Sequence, residues 1–323
     1  MNEFDPIFKK IHDEVMKAGH ILVISHQNPD GDAIGSLIGI SHYLHHHQKS
    51  HVLFCLTDVP DYLRFIKGTE TIRSEEKYLQ KNEYDLVIIL DSGDLEYAGV
   101  ARHFRTLKGL PIVINIDHHP TNQLYGHINL VHPAASSTAE IIYHLLDYHR
   151  IPFTKEVATA LLTGIMTDTG SFTNMATTPS SMEASSRLMA HGARVRDINA
   201  NTMRNKSLNQ LQLWGRALSR LKMNAQTGIV TTVLTQKDFQ ELKMDEDSSE
   251  GISNFLNSVG EAKAVIVLRE KSDGTIKASL RTTQPSVDVS KIAKYFGGGG
   301  HKKAAGFTIK GTLMETDAGW QVV

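Results

Sequence analysis

The sequence has few of the features that mark secreted or membrane proteins. It contains one cysteine, Cys55, so no intrachain disulfide can form, which favours a reducing cytoplasm. No apolar run approaches the ~20 residues that a membrane-spanning helix needs. Residues 1–6 have neither the basic start nor the apolar core of a secretion signal. We therefore expect a cytoplasmic protein that does not enter a membrane.

An excess of charge of either sign is also missing. The chain has 34 lysines and arginines against 35 aspartates and glutamates, a formal net charge of −1. This balance excludes a broadly basic nucleic-acid-binding surface, so any polyanion must be held locally. The hydrophobic content of 41% and the charged content of 21% are ordinary for a globular protein. With 323 residues, the chain is long enough for two domains.

Strand and helix patterns alternate through the first half of the chain. Residues 85–90 and 111–116 are continuous apolar runs, which are typical of parallel strands covered on both faces. The pattern also predicts strands at 20–25 and 51–56, and helices at 32–47, 137–149 and 155–166. This alternation predicts an α/β fold with a doubly wound, mainly parallel sheet.

The second half has a different character. Residues 180–223 are mostly helical in pattern. The predicted elements that follow are strands at 228–234, 262–269 and 275–282, a helix at 289–296 and a last strand at 304–309. These elements predict a smaller α+β domain. The expected domains are a catalytic domain at 1–190, a helical connector at 191–223 and a substrate-binding domain at 224–323.

Carboxylates and imidazoles cluster just after the predicted strands. In doubly wound sheets, ligands bind beyond the carboxyl ends of the strands, so side chains at this position are candidates for one site. The side chains that follow a strand, or close a helix nearby, are His26, Asp30, Asp32, Asp91, Asp117, His118, His119 and Asp168.

Each cluster also has an ordinary structural interpretation. The turn at 29–32 alone is typical of a helix cap, and Asp168 alone could be an exposed helix end. His26 at the strand end favours the functional interpretation. Asp30 and Asp32 support it, because side chains at i and i+2 in extended backbone share a side and can address adjacent metals.

Other features of this region have simpler explanations. An EF-hand is excluded, because the loop position of the bidentate glutamate is occupied by Ser41. Gly31 lets the backbone bend sharply, and Gly35 is expected to let the next helix approach the sheet closely. The histidine run at 45–47 is expected to be a solvated helix end outside the site.

The chemistry of the candidate side chains indicates a metal site. Carboxylate oxygens and neutral imidazoles without a thiolate suit divalent ions such as manganese. The set is large enough for two ions, which indicates metal-assisted hydrolysis of a phosphoester. Two ions held ~3.5–4 Å apart need a bridging carboxylate, and Asp91, at the end of a central strand, is the candidate. Asp168 would complete the ligands of the second ion.

The Asp-His-His motif at 117–119 is the most specific local signal. Adjacent residues of an extended chain point in opposite directions, so the two histidines are not expected to bind one ion. We expect His118 to ligate metal and His119 to face the substrate as a phosphate donor or leaving-group acid. Asp117 is expected to orient its neighbours.

A second candidate site lies near the end of the chain. Residues 297–300 are four glycines, and His301 and two lysines follow them. By itself the segment could be a flexible turn, but exposed backbone amides beside cations form an anion cradle. Arg281 could add a bidentate phosphate contact. We therefore assign substrate binding to Arg281, Gly299, Gly300 and His301.

Together these motifs resemble the DHH phosphoesterase superfamily, which is named for the type of motif at 117–119. The glycine-rich segment resembles the accessory domain of its DHHA1 branch. Both parts together span nearly the whole chain, and all four N-terminal motifs are intact. Within the branch, the chain is similar to the bacterial bifunctional oligoribonucleases and pAp phosphatases, the nanoRNases.

The resemblance implies a ligand set and substrate contacts. It implies two Mn²⁺ ions per chain, with Mg²⁺ or Co²⁺ as substitutes. The ligands of one ion would be His26, Asp30 and Asp91. The ligands of the other would be Asp32, Asp91, His118 and Asp168. Arg281 and His301 match positions that contact the substrate phosphate in this branch.

The predicted function is that of an oligoribonuclease and 3′(2′),5′-bisphosphate nucleotidase. The substrates would be RNAs of roughly two to five nucleotides and adenosine 3′,5′-bisphosphate (pAp), since longer strands need a basic track and stacking platforms. Two alternatives stay open: a DHH phosphodiesterase specific for linear or cyclic dinucleotides, and a non-catalytic nucleotide sensor. The oligomeric state also stays open, with a homodimer as one option.

Overall fold

The computed structural model describes residues 4–80, 84–106, 111–204, 206–249, 251–316 and 319–323. The chain divides into two units, Met1–Asn205 and Lys206–Val323. The division falls inside the segment 191–223, for which the sequence predicts a connector. Among the described helices, none has the length and apolar character needed to cross a bilayer.

The first unit is built on a five-stranded parallel sheet in the order β2-β1-β3-β4-β5. Its strands are β1 (His20–Ser25), β2 (Ser50–Phe54), β3 (Leu86–Leu90), β4 (Ile112–Asp117) and β5 (Ile128–Val131). The central strand β3 is buried at every position, because its alternate side chains enter two hydrophobic clusters on opposite faces. The predicted α/β fold with a doubly wound parallel sheet is confirmed.

The edge strand β5 is not predicted by the sequence pattern. It has four residues that alternate between buried and half-buried positions, so it lacks the continuous apolar run of its neighbours. Pairing with β4 adds it to the sheet.

The described residues of the first unit also form helices, some packed against the sheet and some against other helices. They are α1 (Asp5–Lys17), α2 (Gly31–His46), α3 (Ala101–Thr106), α4 (Thr138–Tyr148), α5 (Lys155–Asp168), α6 (Pro179–Ala190) and α7 (Val195–Ile198). Short 3₁₀ turns lie between β2 and β3, at Asp61–Leu63, Thr69–Thr71 and Glu76–Tyr78. A π turn at Asn199–Met203 follows α7. Helix α2 is buried along most of its length, so it is a core helix.

Gly35 brings α2 against another helix and not against the sheet. A Cβ atom at Gly35 would lie 2.5 Å from the carbonyl oxygen of Ala160 in α5, and one at Gly164 would lie 2.8 Å from Asp32 Oδ1. The expectation that Gly35 serves the approach to the sheet is wrong, because the close contact is with α5. The contact places the start of α2 beside the end of α5, where Asp168 lies.

The histidine run at 45–47 lies at the end of α2. His45 and His46 are exposed, as predicted for a solvated helix end. His47 is half-buried, and its ring centroid lies 4.9 Å from those of both Tyr43 and His12. The last histidine of the run therefore packs against α1.

The second unit contains a six-stranded mixed sheet in the order β10-β11-β9-β8-β7-β6. Its strands are β6 (Lys222–Met223), β7 (Ile229–Leu234), β8 (Ala264–Glu270), β9 (Thr275–Arg281), β10 (Gly299–Gly300) and β11 (Ala304–Lys310). Its helical segments are α8 (Leu208–Ser219), α9 (Gln236–Glu241), a 3₁₀ turn (Glu246–Ser249), α10 (Ile252–Leu256) and α11 (Val289–Tyr295). Helix α8 contributes Leu213 and Ala217 to the core of this unit.

A hairpin of β12 (Leu313–Thr316) and β13 (Gly319–Val322) follows β11. The expectation that residues 304–309 form the last strand is therefore wrong. Both strands of the hairpin are short and mostly exposed or half-buried, so they show no strong apolar pattern.

Candidate metal centre

The loop between β1 and α2 positions three predicted ligands. His26 follows β1 and is buried, Asp30 is the N-cap of α2, and Asp32 lies in its first turn. Oδ1 of Asp30 accepts hydrogen bonds from the backbone amides of Asp32 and Ala33, at 2.9 and 3.1 Å. Asp30 therefore acts as a helix cap while its carboxylate also faces His26.

His26, Asp30 and Asp91 form the first group of side chains that could hold a metal ion. Nε2 of His26 lies 3.7 Å from Asp30 Oδ1 and 3.5 Å from Asp91 Oδ2. Asp91 follows β3 with a φ of 54°, in the left-handed region that aspartate adopts at some cost. Such strain is typical of functional positions.

A second group consists of Asp32, His118 and Asp168. Nε2 of His118 lies 3.3 Å from Asp168 Oδ2 and 3.9 Å from Asp32 Oδ2. The same nitrogen lies 3.6 Å from Asp91 Oδ1. The two oxygens of Asp91 therefore face different groups, Oδ2 toward His26 and Oδ1 toward His118.

The spacing of these atoms fits a divalent ion better than direct hydrogen bonding. Hydrogen bonds between nitrogen and oxygen span ~2.7–3.2 Å. The imidazole–carboxylate distances here are 3.3–3.9 Å. Two ligands each ~2.0–2.2 Å from one ion lie roughly 2.8–3.6 Å apart at octahedral or tetrahedral angles. The donor set therefore fits a divalent cation in each group.

The N-terminus of α4 holds two of the carboxylates in place. Backbone amides of Thr138 and Ala139 donate to Asp32 Oδ2 and Oδ1, at 2.7 and 2.8 Å. The Thr138 hydroxyl donates to Asp91 Oδ1 at 3.1 Å. Sequence reasoning missed these contacts, because Thr138 and Asp32 are 106 residues apart along the chain.

Asp117 is the centre of a second hydrogen-bond network. Its Oδ1 accepts from the His118 amide at 2.9 Å and lies 2.7 Å from His119 Nδ1. Its Oδ2 accepts from Asn122 Nδ2 at 2.6 Å, and Asn122 Oδ1 accepts from Asn115 Nδ2 at 2.9 Å. Neither asparagine is predicted as a site residue from the sequence, although a polar residue at 115 inside an apolar strand is an available signal.

His119 also lies close to the carboxylates of the site. Its Nδ1 is 3.7 Å from Asp91 Oδ1, and Asp91, His118 and His119 form a third group that could hold a metal ion. Nδ1 of His119 is hydrogen-bonded to Asp117, so Nε2 is the ring nitrogen that remains for other partners.

Crowding of the carboxylates changes their protonation in the metal-free protein. Burial, followed by the charges of Asp91 and Asp30, raises the pKa of Asp32 well above its usual value. Burial and the charges of neighbouring aspartates raise the pKa of Asp168 in the same way. Burial alone would lower the pKa of His26, but the adjacent carboxylates raise it to about 10. His26 therefore carries a proton at neutral pH when no metal is bound.

Metal binding is expected to release protons, because an imidazole ligates a metal only in its neutral form. Since the pKa of His26 is raised to about 10, the affinity for Mn²⁺ should increase as the pH rises from 6 to 8. Calorimetry in two buffers of different ionisation enthalpy should give about one or more protons released per chain at pH 7. The His26→Gln variant should release fewer protons on metal binding than the unaltered protein. An affinity that does not change over this pH range, without proton release, would contradict the prediction.

The second unit brings Arg281 and His301 to one end of its sheet. Arg281 ends β9 and pairs with Ala304 of β11, and the His301 amide donates to the Ala304 carbonyl oxygen at 2.7 Å. Nε of Arg281 donates to Asn254 Oδ1 at 2.8 Å. Burial, then the charge of Arg269, lowers the pKa of Arg281. No carboxylate among the described residues pairs with Arg281, so its guanidinium suits an anion.

The glycine-rich segment beside Arg281 is constrained by packing at two positions. A Cβ atom at Gly298 would lie 2.2 Å from the Gly306 carbonyl oxygen, and one at Gly300 would lie 2.6 Å from that of Ala304. Gly300 also has a φ of 130°. At Gly299, no heavy atom of the described residues lies within 4 Å of the corresponding position, so the space on that side of the backbone is open.

Two domain matches agree with this arrangement. The DHH family N-terminal domain matches residues 20–165, and the DHHA1 domain matches residues 225–318. The chain belongs to the DHH family of phosphoesterases. The first match contains every candidate metal ligand except Asp168, which lies three residues beyond its end. The resemblance seen in the sequence is confirmed, and DHH phosphoesterases are metal-dependent enzymes.

Individual proteins are similar over most of the chain. The bifunctional oligoribonuclease and PAP phosphatase NrnA of Thermus thermophilus is 32% identical over 307 residues, which cover 94% of this chain and 88% of that protein. A solved exopolyphosphatase-related protein from Bacteroides fragilis matches with a TM-score of 0.87 at 28% identity, covering 95% of this chain and 92% of that one. The cyclic-di-AMP phosphodiesterase GdpP of Geobacillus thermodenitrificans is 26% identical over 304 residues, 89% of this chain but 44% of that protein.

Proposed function

We propose that the protein is a manganese-dependent phosphohydrolase that degrades very short RNAs to mononucleotides and converts pAp to AMP. The observation that carries the proposal is the position of Asp91, whose two carboxylate oxygens face two separate groups of metal-binding side chains. Two-metal sites of this type hydrolyse phosphoesters. Similarity to a bifunctional oligoribonuclease and PAP phosphatase supports the choice of substrates.

The proposed metal ligands follow the two groups. His26, Asp30 and Asp91 hold one ion, and the other ligands are Asp32, Asp91, His118 and Asp168. When bound, the ions supply Lewis acidity and lower the pKa of water. Oxygen and imidazole ligands without thiolate suit manganese, with Mg²⁺ or Co²⁺ as substitutes.

The remaining residues orient ligands and substrate in this proposal. The amides at the start of α4 hold Asp32 in place and favour its ionised form, because they donate to both of its oxygens. Asp117 holds His119 through Nδ1. The free Nε2 of His119 then donates a hydrogen bond to a phosphate oxygen or a proton to the leaving group.

The second unit is proposed to bind the phosphate groups of the substrate. Arg281 offers a guanidinium, Gly299 and Gly300 offer backbone amides, and His301 offers an imidazole beside them. The lone, buried Cys55 suits the reducing cytoplasm, which we include in the proposal as the location.

A second candidate activity is hydrolysis of a linear or cyclic dinucleotide signal. The similarity to a cyclic-di-AMP phosphodiesterase favours this alternative. The chain spans less than half of that protein, so we rank it below the first proposal. A non-catalytic sensor would need no complete ligand set, whereas every proposed ligand is present here.

A panel of substrates tests the proposal. Metal-free protein is reconstituted with Mn²⁺ and given labelled RNAs from dinucleotide to 24-mer, pAp and cyclic di-AMP in parallel. We expect rapid hydrolysis of dinucleotides and of pAp, with rates that fall steeply toward the 24-mer, because the chain lacks a broad basic surface. Faster hydrolysis of the 24-mer, or of cyclic di-AMP alone, would refute the proposed substrates.

A further inference from the structure

Tyr97 is an exposed aromatic residue beside the metal centre. Tyr97 lies in the segment after β3. Its ring is stacked on the ring of His26, with the centroids 5.0 Å apart and the planes at 24°. His26 is 3% exposed, whereas Tyr97 is 45% exposed. Because His26 covers one face of the tyrosine ring, the exposure of Tyr97 comes from the opposite face and the edge.

The backbone on both sides of this ring is held in place. The Tyr97 amide donates to Asp94 Oδ1 at 2.7 Å, and its carbonyl oxygen accepts from the Gln27 amide at 3.2 Å. The backbone of Tyr97 is therefore held and its ring is stacked on His26 before any ligand arrives, which lowers the entropic cost of binding. Among the described residues, its hydroxyl has no hydrogen-bond partner.

The chemistry around Tyr97 selects the kind of group that can cover its free face. A neutral, flat aromatic group suits the position, because aromatic rings stack favourably at centroid separations of ~4.5–7 Å. Every nucleobase offers such a face, so stacking tolerates sequence variation.

We infer that the free face of Tyr97 is a nucleobase subsite, on which a base of the substrate stacks while its phosphate is held at the metal centre. This inference rests on the proposed function, since it assigns the base of that same substrate. A base on this face is separated from His26, a proposed metal ligand, by the ring of Tyr97 alone. One ribose can join a base there to a phosphate at the metals. The subsite accounts for activity on RNA fragments of mixed sequence and on pAp.

A base-free substrate separates stacking from simple support of His26. The pair is pAp and ribose 3,5-bisphosphate, compared in the unaltered protein and in Tyr97→Leu and Tyr97→Phe. Tyr97→Leu should lower kcat/KM for pAp by roughly 5- to 150-fold, mainly through KM. Its effect on ribose 3,5-bisphosphate should stay within about 2-fold, since no base is present to stack. Tyr97→Phe keeps the ring and should retain most activity on both.

A binding measurement gives a second readout that does not depend on turnover. The probe is 2-aminopurine riboside 5′-monophosphate, whose fluorescence is quenched when its base stacks on an aromatic ring. The unaltered protein and Tyr97→Phe should quench it, and Tyr97→Leu should not. The control is Tyr148→Leu, because Tyr148 is 40% exposed and lies at the far end of α4 from the metal centre.

The outcomes separate the inference from the proposed function. Equal losses on pAp and ribose 3,5-bisphosphate in Tyr97→Leu would show that Tyr97 only supports His26, and would overturn the subsite. Unchanged activity and quenching in Tyr97→Leu would overturn it as well. If the unaltered protein hydrolyses neither pAp nor dinucleotides, the proposed function fails, and quenching then decides on the subsite alone.

Discussion

Asp91→Asn is expected to lower the hydrolysis of dinucleotides and pAp by roughly 10³-fold or more, because the proposed reaction needs two metal ions and Asp91 is the proposed bridge between them. An asparagine keeps the shape of the side chain and tolerates the positive φ at this position. It has one oxygen and no charge, so it cannot face both His26 and His118 as a ligand. The measurements are kcat/KM and the number of Mn²⁺ ions per chain, which should fall below that of the unaltered protein.

Asp85→Asn is the matched control at the opposite end of the same strand. Asp85 precedes β3 and accepts hydrogen bonds from the amides of Gly19 and His20, at 2.7 and 3.1 Å. Its replacement should lower thermal stability and leave metal content unchanged. Chelation of metal from the unaltered protein should abolish activity, and added Mn²⁺ should restore it. If Asp91→Asn keeps its full metal content and activity within about 10-fold, Asp91 does not bridge two ions.

Arg281→Ala is expected to lower kcat/KM by roughly 10- to 150-fold on both short RNA and pAp, because a charge-assisted hydrogen bond contributes about 1.5–3 kcal/mol. In the proposed function, both substrates present a phosphate to the same end of the second unit's sheet. The variant should still bind metal as the unaltered protein does, since every proposed metal ligand lies in the first unit. His118→Ala, in contrast, should impair metal binding itself.

Lys277→Ala is the control for the loss of a positive charge. Lys277 is an exposed cation on the same strand, β9, four residues before Arg281. Its replacement should change kcat/KM by less than about 3-fold, because an isolated surface charge is screened by solvent and salt. If Arg281→Ala behaves like the unaltered protein on both substrates, the substrate phosphate binds elsewhere.

Local patterns in the sequence predicted most of the first sheet. The continuous apolar runs of β3 and β4 determine buried parallel strands, because both faces of such strands must enter a core. The same reasoning predicts that polar side chains just beyond them lie at one edge. His26, Asp91 and His118 were expected there, and the structure brings them together. The strand β5 and the hairpin of β12 and β13 were missed, because they are short and lack an apolar run.

The sequence by itself therefore determined the α/β fold, the family and the residues that collect at the sheet edge. Only the tertiary structure decided which groups those residues form, because the contacts join segments that are distant along the chain. The amides of α4 that hold Asp32 are one example, and the contact of Gly35 with α5 is another. The stacking of Tyr97 on His26 is a third. Periodicity records which side chains are buried, whereas these partners depend on how helices and loops pack against one another.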